Sequence, residues 1–200
     1  MSRLKPFEQE QCPEHLRANR SALTRWFGRT FYGLMGWKLE GNVANAERVL
    51  ITAAPHTSNW DAILGFAAIL GINVRLHWLG KHSIFIPGLR WFMRWLGGIP
   101  VDRENPESVM GYVDEVVSKH EGVVIIVAPE GTRKKAEKWK TGFLRIAEAN
   151  DCVIQLGALD FPNKRILLGK TFEPTGDNQA DIESIKEWYK QFKGKFPDQF

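Results

Sequence analysis

The stretch Val49-Leu50-Ile51-Thr52-Ala53-Ala54-Pro55-His56-Thr57-Ser58-Asn59-Trp60-Asp61 decides how this chain is read. The apolar, partly β-branched residues 49–53 predict a strand, the apolar run 62–70 predicts a helix, and Pro55 opens the turn between them. The turn also carries chemistry. Imidazole is the side chain whose ordinary pKa lies near neutrality, so His56 can take a proton from a hydroxyl. A carboxylate beside it would fix its tautomer and stabilise the imidazolium. On one continuous helix residues five apart point about 140° away from each other. His56 and Asp61 therefore meet only if His56 lies in the turn and Asp61 in the first turn of the helix. The same residues also read as a helix start, with Ser58 as N-cap and Asp61 three residues later as in a capping box. Both readings can hold together.

Outward from this stretch, strands and helices alternate. Strands are expected at 74–79, in a short piece within Gly97-Gly98-Ile99-Pro100-Val101-Asp102-Arg103, at 123–128, and at 152–159 and 165–172 around the turn Phe161-Pro162-Asn163-Lys164. Helices are expected at 106–120, 142–149 and 181–192. The continuous β-branched run 123–128 has the pattern of a strand covered on both faces. It leads directly into Pro129-Glu130-Gly131-Thr132-Arg133. In α/β sheets ligands bind beyond the carboxyl ends of strands, so His56 and Glu130 are expected on one edge. The alternation gives an α/β single domain with a mostly parallel, mixed sheet covered by helices.

Residues 1–15 read as a polar arm, and 16–39 as an N-terminal amphipathic helix broken at Gly41-Asn42. Leu23, Trp26, Phe27, Phe31, Leu34 and Met35 form its apolar stripe, interleaved with Arg17, Arg20, Arg25, Arg29 and Lys38. Basic residues with Trp and Phe suit a helix lying in a lipid headgroup layer. The same pattern suits a first helix packed on the core with a solvated basic back. A second such patch lies within 80–98, where a short helix from Pro87-Gly88 carries Trp91, Trp95, Arg90 and Arg94; a core helix with two snorkelling arginines fits it equally. The expected division is residues 1–40 as arm and interfacial helix and 41–200 as the α/β domain.

Eight tryptophans and twelve phenylalanines make lipid a better partner than nucleic acid for a chain of net charge +4. No apolar run approaches the ~20 residues of a membrane span, and no apolar signal region opens the chain. A peripheral protein on the cytoplasmic side of a membrane is expected. Cys12 and Cys152 have no metal-type spacing, and Cys152 reads as a buried thiol. His77, His82 and His120 have no partner by spacing. His56, Asp61 and Glu130 offer too few His or Cys ligands for a zinc centre, so no metal is expected.

Three ordered segments resemble the glycerolipid acyltransferase family, which includes lysophosphatidate acyltransferases. His56 and Asp61 match its H-x4-D motif, 97–103 its Gly-rich strand ending in Asp-Arg, and Glu130-Gly131-Thr132-Arg133 its Glu-Gly-Thr-Arg motif. The resemblance covers roughly 48–160. It implies an O-acyltransferase of phospholipid biosynthesis, with 41–200 as the acyltransferase domain. An acyl group would pass from acyl-CoA or acyl carrier protein to 1-acylglycerol 3-phosphate, without a further cofactor; the alternatives are another lyso-lipid or a hydroxyacyl lipid as acceptor, or a non-catalytic peripheral lipid-binding protein. His56 would be the general base and Asp61 its orienter. Arg103 would hold the acceptor's phosphate through its planar fork. Glu130, Gly131, Thr132 and Arg133 would shape the acceptor site, and Lys140 would add charge. The chain departs from the family at Pro55 (often Asn), at Thr57 (often Gln), and at Gln155-Leu156-Gly157-Ala158, where a Val-Pro-Val-like strand is usual.

Overall fold

A computed structural model describes residues 6–7, 10–102 and 106–200. Its seven strands are β1 (Lys38–Glu40), β2 (Arg48–Ala54), β3 (Leu76–Lys81), β4 (Gly98–Val101), β5 (Val123–Val127), β6 (Val153–Asp160) and β7 (Arg165–Phe172). They form one sheet in the order β1-β7-β6-β2-β5-β3-β4. The β6–β7 hairpin supplies the antiparallel pair, and the other neighbours run parallel. Six helices pack around it: α1 (Ala22–Met35), α2 (Asn59–Ile72), α3 (Arg90–Trp95), α4 (Pro106–Ser118), α5 (Gly142–Ala149) and α6 (Asn178–Tyr189). The α/β class and the mostly parallel, mixed sheet are as expected.

The alternation of β2 divides the core between two layers, because successive strand residues face opposite sides. Leu50 and Ala54 pack with α4, α5 and α6 through Val113, Phe143, Ile146, Ile185 and Tyr189. Val49 and Ile51 face the other way, toward Leu16, Ile69 and Val74. Strand β5 is buried between the same two layers, which accounts for its unbroken apolar run.

Helix α1 differs most from expectation. Ser21 caps it by accepting the Thr24 N–H (3.3 Å), and it ends at Gly36, whose φ of 68° is the left-handed conformation that favours glycine. Trp37 to Leu39 are therefore not helical, and Lys38 to Glu40 form β1 on the sheet edge. Only part of the apolar stripe packs on the core: Phe31 and Met35 lie half-buried against it. Leu23, Trp26, Phe27 and Leu34 are exposed, Leu34 by 84%. The fully buried residues of the packing face are Gly28 and Tyr32. A Cβ at Gly28 would lie 2.6 Å from the Ala67 carbonyl oxygen and 2.7 Å from the Gly71 nitrogen, so α1 seats backbone to backbone on α2. The Tyr32 hydroxyl donates to Leu64 O (3.0 Å) and Arg29 Nε to Gly71 O (2.9 Å). The two helices run antiparallel.

Two smaller readings also change. Cys152 is only partly buried, at the turn before β6, whereas Cys12 is fully buried; both are free thiols, and burial pushes each up to about 11. His77 and His120 stack on each other at 5.8 Å between ring centroids, a pairing that sequence separation conceals.

Candidate active site

Strands β2 and β5 are parallel neighbours with Thr52 opposite Val127, so their carboxyl ends reach the sheet edge side by side. The residues after β2 turn at Pro55 and enter α2 at Asn59; those after β5 turn at Pro129 and Glu130. The fold thus sets His56 beside Glu130.

His56 lies in the turn and Asp61 in the first turn of α2, with His56 Nδ1 at 3.0 Å from Asp61 Oδ2. The Asp61 side chain is buried and held by several donors. Its Oδ2 accepts the Thr57 and Ser58 N–H groups, both at 2.8 Å, and its Oδ1 accepts the Ser58 hydroxyl at 2.6 Å. The bond from the N-cap N–H to the third residue of the helix is half of a capping box, so cap and pair coexist. With the carboxylate accepting from Nδ1–H, the tautomer leaves His56 Nε2 as the basic nitrogen. The imidazole is about a third exposed, with side-chain accessibility of 30%.

Glu130 is buried and directs both carboxyl oxygens at the His56 backbone N–H, at 3.0 and 3.1 Å. Burial pushes its pKa up to about 7. The His56 N–H and the His56 side chain pull the other way, and Asp61 adds to the rise. Glu130 therefore ties the loop after β5 to the turn after β2.

Gly131 follows with φ +67°, and a Cβ there would lie 3.2 Å from Lys140 Cγ. The Lys140 N–H donates to Pro129 O (2.8 Å), which folds the basic segment back over the loop. Thr132, Arg133 and Lys140 sit on this edge with exposed side chains; Thr132 Oγ1 accepts the Lys134 N–H at 3.3 Å. Arg103, expected to hold a phosphate, lies outside the described residues. Among the described residues no three His, Cys, Asp or Glu side chains gather as metal ligands.

Sequence reasoning missed two residues beneath the site. Tyr189 on α6 is fully buried; its hydroxyl lies 2.8 Å from Thr52 Oγ1 and donates to Thr52 O (2.9 Å) or Gly157 O (3.0 Å). Its only signal is an aromatic on the inner side of an amphipathic helix. Thr57 is also buried, and its Oγ1 accepts the Phe196 N–H at 3.2 Å. At the proline-free block, Gly157 fits closely against β2: a Cβ would lie 2.8 Å from Ile51 Cγ2 and 3.0 Å from Thr52 O. Gln155 donates to Asn42 O (2.8 Å) and Gly169 O (3.0 Å) and accepts the Ala44 N–H (3.1 Å).

Fold and edge together define a class: an α/β protein with a histidine–carboxylate pair where two central strands end. The family model described as Acyltransferase matches residues 37–155, and the chain belongs to that family. It is 28% identical over 110 residues to the 1-acyl-sn-glycerol-3-phosphate acyltransferase of Streptococcus pneumoniae, covering 50% of this chain and 40% of that protein. It is 24% identical over 181 residues to the chloroplastic 1-acyl-sn-glycerol-3-phosphate acyltransferase LPAT1 of Arabidopsis thaliana, covering 78% of this chain and 48% of the relative. The chain thus spans less than half the length of these curated relatives. Its fold is similar to the crystal structure of the 1-acyl-sn-glycerophosphate acyltransferase PlsC from Thermotoga maritima. The TM-score is 0.58 at 19% identity, covering 84% of this chain and 76% of that one.

Proposed function

We propose that this protein is an O-acyltransferase that moves a fatty acyl group from an acyl thioester to the free hydroxyl of 1-acylglycerol 3-phosphate at a membrane surface. The observation that carries the reading is the His56–Asp61 pair at 3.0 Å, with Asp61 held by three further donors. Its support from relatives is that both curated matches are named for this acceptor. The donor carrier would be CoA or acyl carrier protein.

In the reaction, His56 Nε2 takes the acceptor hydroxyl's proton as its oxygen attacks the thioester carbonyl carbon. The tetrahedral oxyanion collapses, the C–S bond breaks, and the imidazolium returns the proton to the leaving thiolate. Asp61 keeps the ring oriented and balances its transient charge. No acyl-enzyme forms, and Ser58, whose hydroxyl is committed to Asp61, is not a nucleophile. Arg103 and the exposed Thr132, Arg133 and Lys140 would attract the acceptor's phosphate.

The membrane reading is supported by the exposed stripe of α1 and by Ile86, Trp91 and Trp95 around α3. Arg20, just before α1, lies over the Trp95 ring at 5.8 Å and links the two patches. Among the described residues no helix is long and apolar enough to cross a membrane.

The test is acyl transfer from both donor types across a panel of lyso-lipid acceptors, with wild type and His56→Ala. Loss of general base catalysis should lower kcat by about 10²–10⁴-fold in a protein that still folds. Turnover within threefold of wild type would remove His56 from that role, and preference for an acceptor without phosphate would overturn the acceptor assignment.

A further inference from the structure

We propose that residues 193–199 are a clamp across the mouth of the site, with Thr57 as a positioning residue that links the clamp to the His56–Asp61 pair. The proposal rests on His56 being the general base, and it concerns what holds that base in place.

Thr57 is 2% exposed and bonded in two directions. Its N–H donates to Asp61 Oδ2, the oxygen facing His56 Nδ1, while its Oγ1 accepts the Phe196 N–H. A shift of Phe196 is therefore felt by the same carboxylate that orients the base. Gly194 makes the approach sterically close. A Cβ there would meet Thr57 Oγ1 at 2.6 Å, Thr57 Cγ2 at 2.9 Å and Pro55 Cβ at 3.2 Å. The Gln199 amide, oriented with its nitrogen toward both carbonyls, donates to Thr57 O at 3.1 Å and Arg133 O at 2.5 Å. The segment thus spans the turn after β2 and the loop after β5, independently of Glu130.

Both ends are fixed. Lys193 O accepts the Phe161 N–H (3.0 Å) in the β6–β7 turn, just after Phe192 enters the core. At the other end the Phe200 ring packs on buried Trp139 at 5.9 Å. Between them Lys195 Nζ lies 4.7 Å from the centre of the Trp60 ring on the first turn of α2. A segment anchored twice and bonded to both motif loops limits how far they can separate.

Catalytic groups tolerate little displacement; an error of about 1 Å costs on the order of 10²-fold in rate. Thr57→Val keeps the side chain's shape but removes the acceptor, and it should lower kcat about tenfold with KM within about twofold, since the fault is in positioning. Thr57→Ser should restore kcat. Gly194→Val should lower kcat by tens of fold with some loss of stability from the clash, and Gln199→Ala by less, with an unfolding midpoint near wild type. The activity-independent readout is the low-field proton resonance of His56 Nδ1–H bonded to Asp61, expected to shift or broaden in Thr57→Val and Gly194→Val.

If His56→Ala retains turnover, the base assignment fails, and the clamp is judged by that resonance alone. Wild-type kcat together with an unaltered resonance in folded Thr57→Val and Gly194→Val overturns the clamp. If Gly194→Val does not fold, Thr57→Val, its serine rescue and Gln199→Ala decide by the same two readouts.

Discussion

Glu130 is a carboxyl placed where ionisation is expensive, beside Asp61 and away from water. Its folded pKa of about 7 lies above its ordinary value of 4.5, chiefly because of burial. Between those values Glu130 binds more protons in the native protein than in the unfolded chain, so its contribution to stability is fully present below about pH 4.5 and is lost as pH rises through about 7. The loss is about 3 kcal/mol, from 1.36 kcal/mol per unit. Glu130→Gln stays neutral at every pH and its carbonyl oxygen can still accept the His56 N–H. Urea unfolding at pH 4.5 and pH 8 should therefore show the variant gaining on wild type by roughly that amount. An equal difference at both pH values would mean that the folded pKa of Glu130 is not raised above its unfolded value. At this scale the sequence displayed whatever lies at a strand end or within one helical turn: His56, Asp61, Ser58 and Glu130. Thr57 and Tyr189 were hidden because their partners lie 139 and 137 residues away, and no local pattern encodes such a bond. The occupant of position 57 makes sense only once the chain has returned to it.

Helix α1 shows where periodicity informs and where it misleads. The three- and four-residue spacing gave a helix and an apolar stripe, but it could not say which face meets the protein. That choice is made by Gly28, whose missing Cβ lets α1 approach Ala67 and Gly71 more closely than any stripe of large side chains could. The bonds from Tyr32 and Arg29 then fix its rotation. Alanine at position 28 would gain about 1 kcal/mol of helix propensity in isolation. Here the new methyl meets backbone atoms that cannot rotate away, and overpacking of that kind costs about 1–3 kcal/mol. Gly28→Ala should be neutral to destabilising in urea melts, and Gly28→Val clearly destabilising. A rise in stability for the alanine variant would show that the two helices have room between them. The long strands were legible because each is an apolar run bounded by turn residues. Strand β1 was not, since three residues carry no period and the preceding helical pattern ran into it.

The arrangement of the whole molecule joins the exposed face to the chemistry. Helices α1 and α2 are antiparallel, with Gly28 against Ala67 and Gly71 and Tyr32 against Leu64. The α1 stripe therefore runs toward the end of α2 that carries Asp61. Trp60 and Ile63 are exposed on that first turn and a half, a few residues along the chain from His56. On the proposed function, a lipid acceptor leaving a bilayer held against this face would meet the carboxyl edge first, where the proposed base stands. Each patch alone would be a weak anchor. A large aromatic inserted into the headgroup layer contributes about 1–2 kcal/mol, and a basic side chain near an anionic surface about 1 kcal/mol. Two patches linked by Arg20 over Trp95 would combine these terms. Trp26→Ala and Trp91→Ala should each weaken sedimentation with anionic phosphatidylglycerol vesicles by roughly tenfold, the equivalent of about 1.4 kcal/mol, and the double variant by the product. Unfolding midpoints should hold, because both rings are exposed. Arg90→Gln with Arg94→Gln should reduce binding at low salt and lose their effect at high salt, where screening shortens electrostatic reach. Turnover of a short-chain, monomeric acceptor should survive all these changes while turnover of vesicle-borne acceptor falls with binding. Undiminished vesicle binding in the Trp26→Ala, Trp91→Ala double variant would mean that this face does not meet the bilayer.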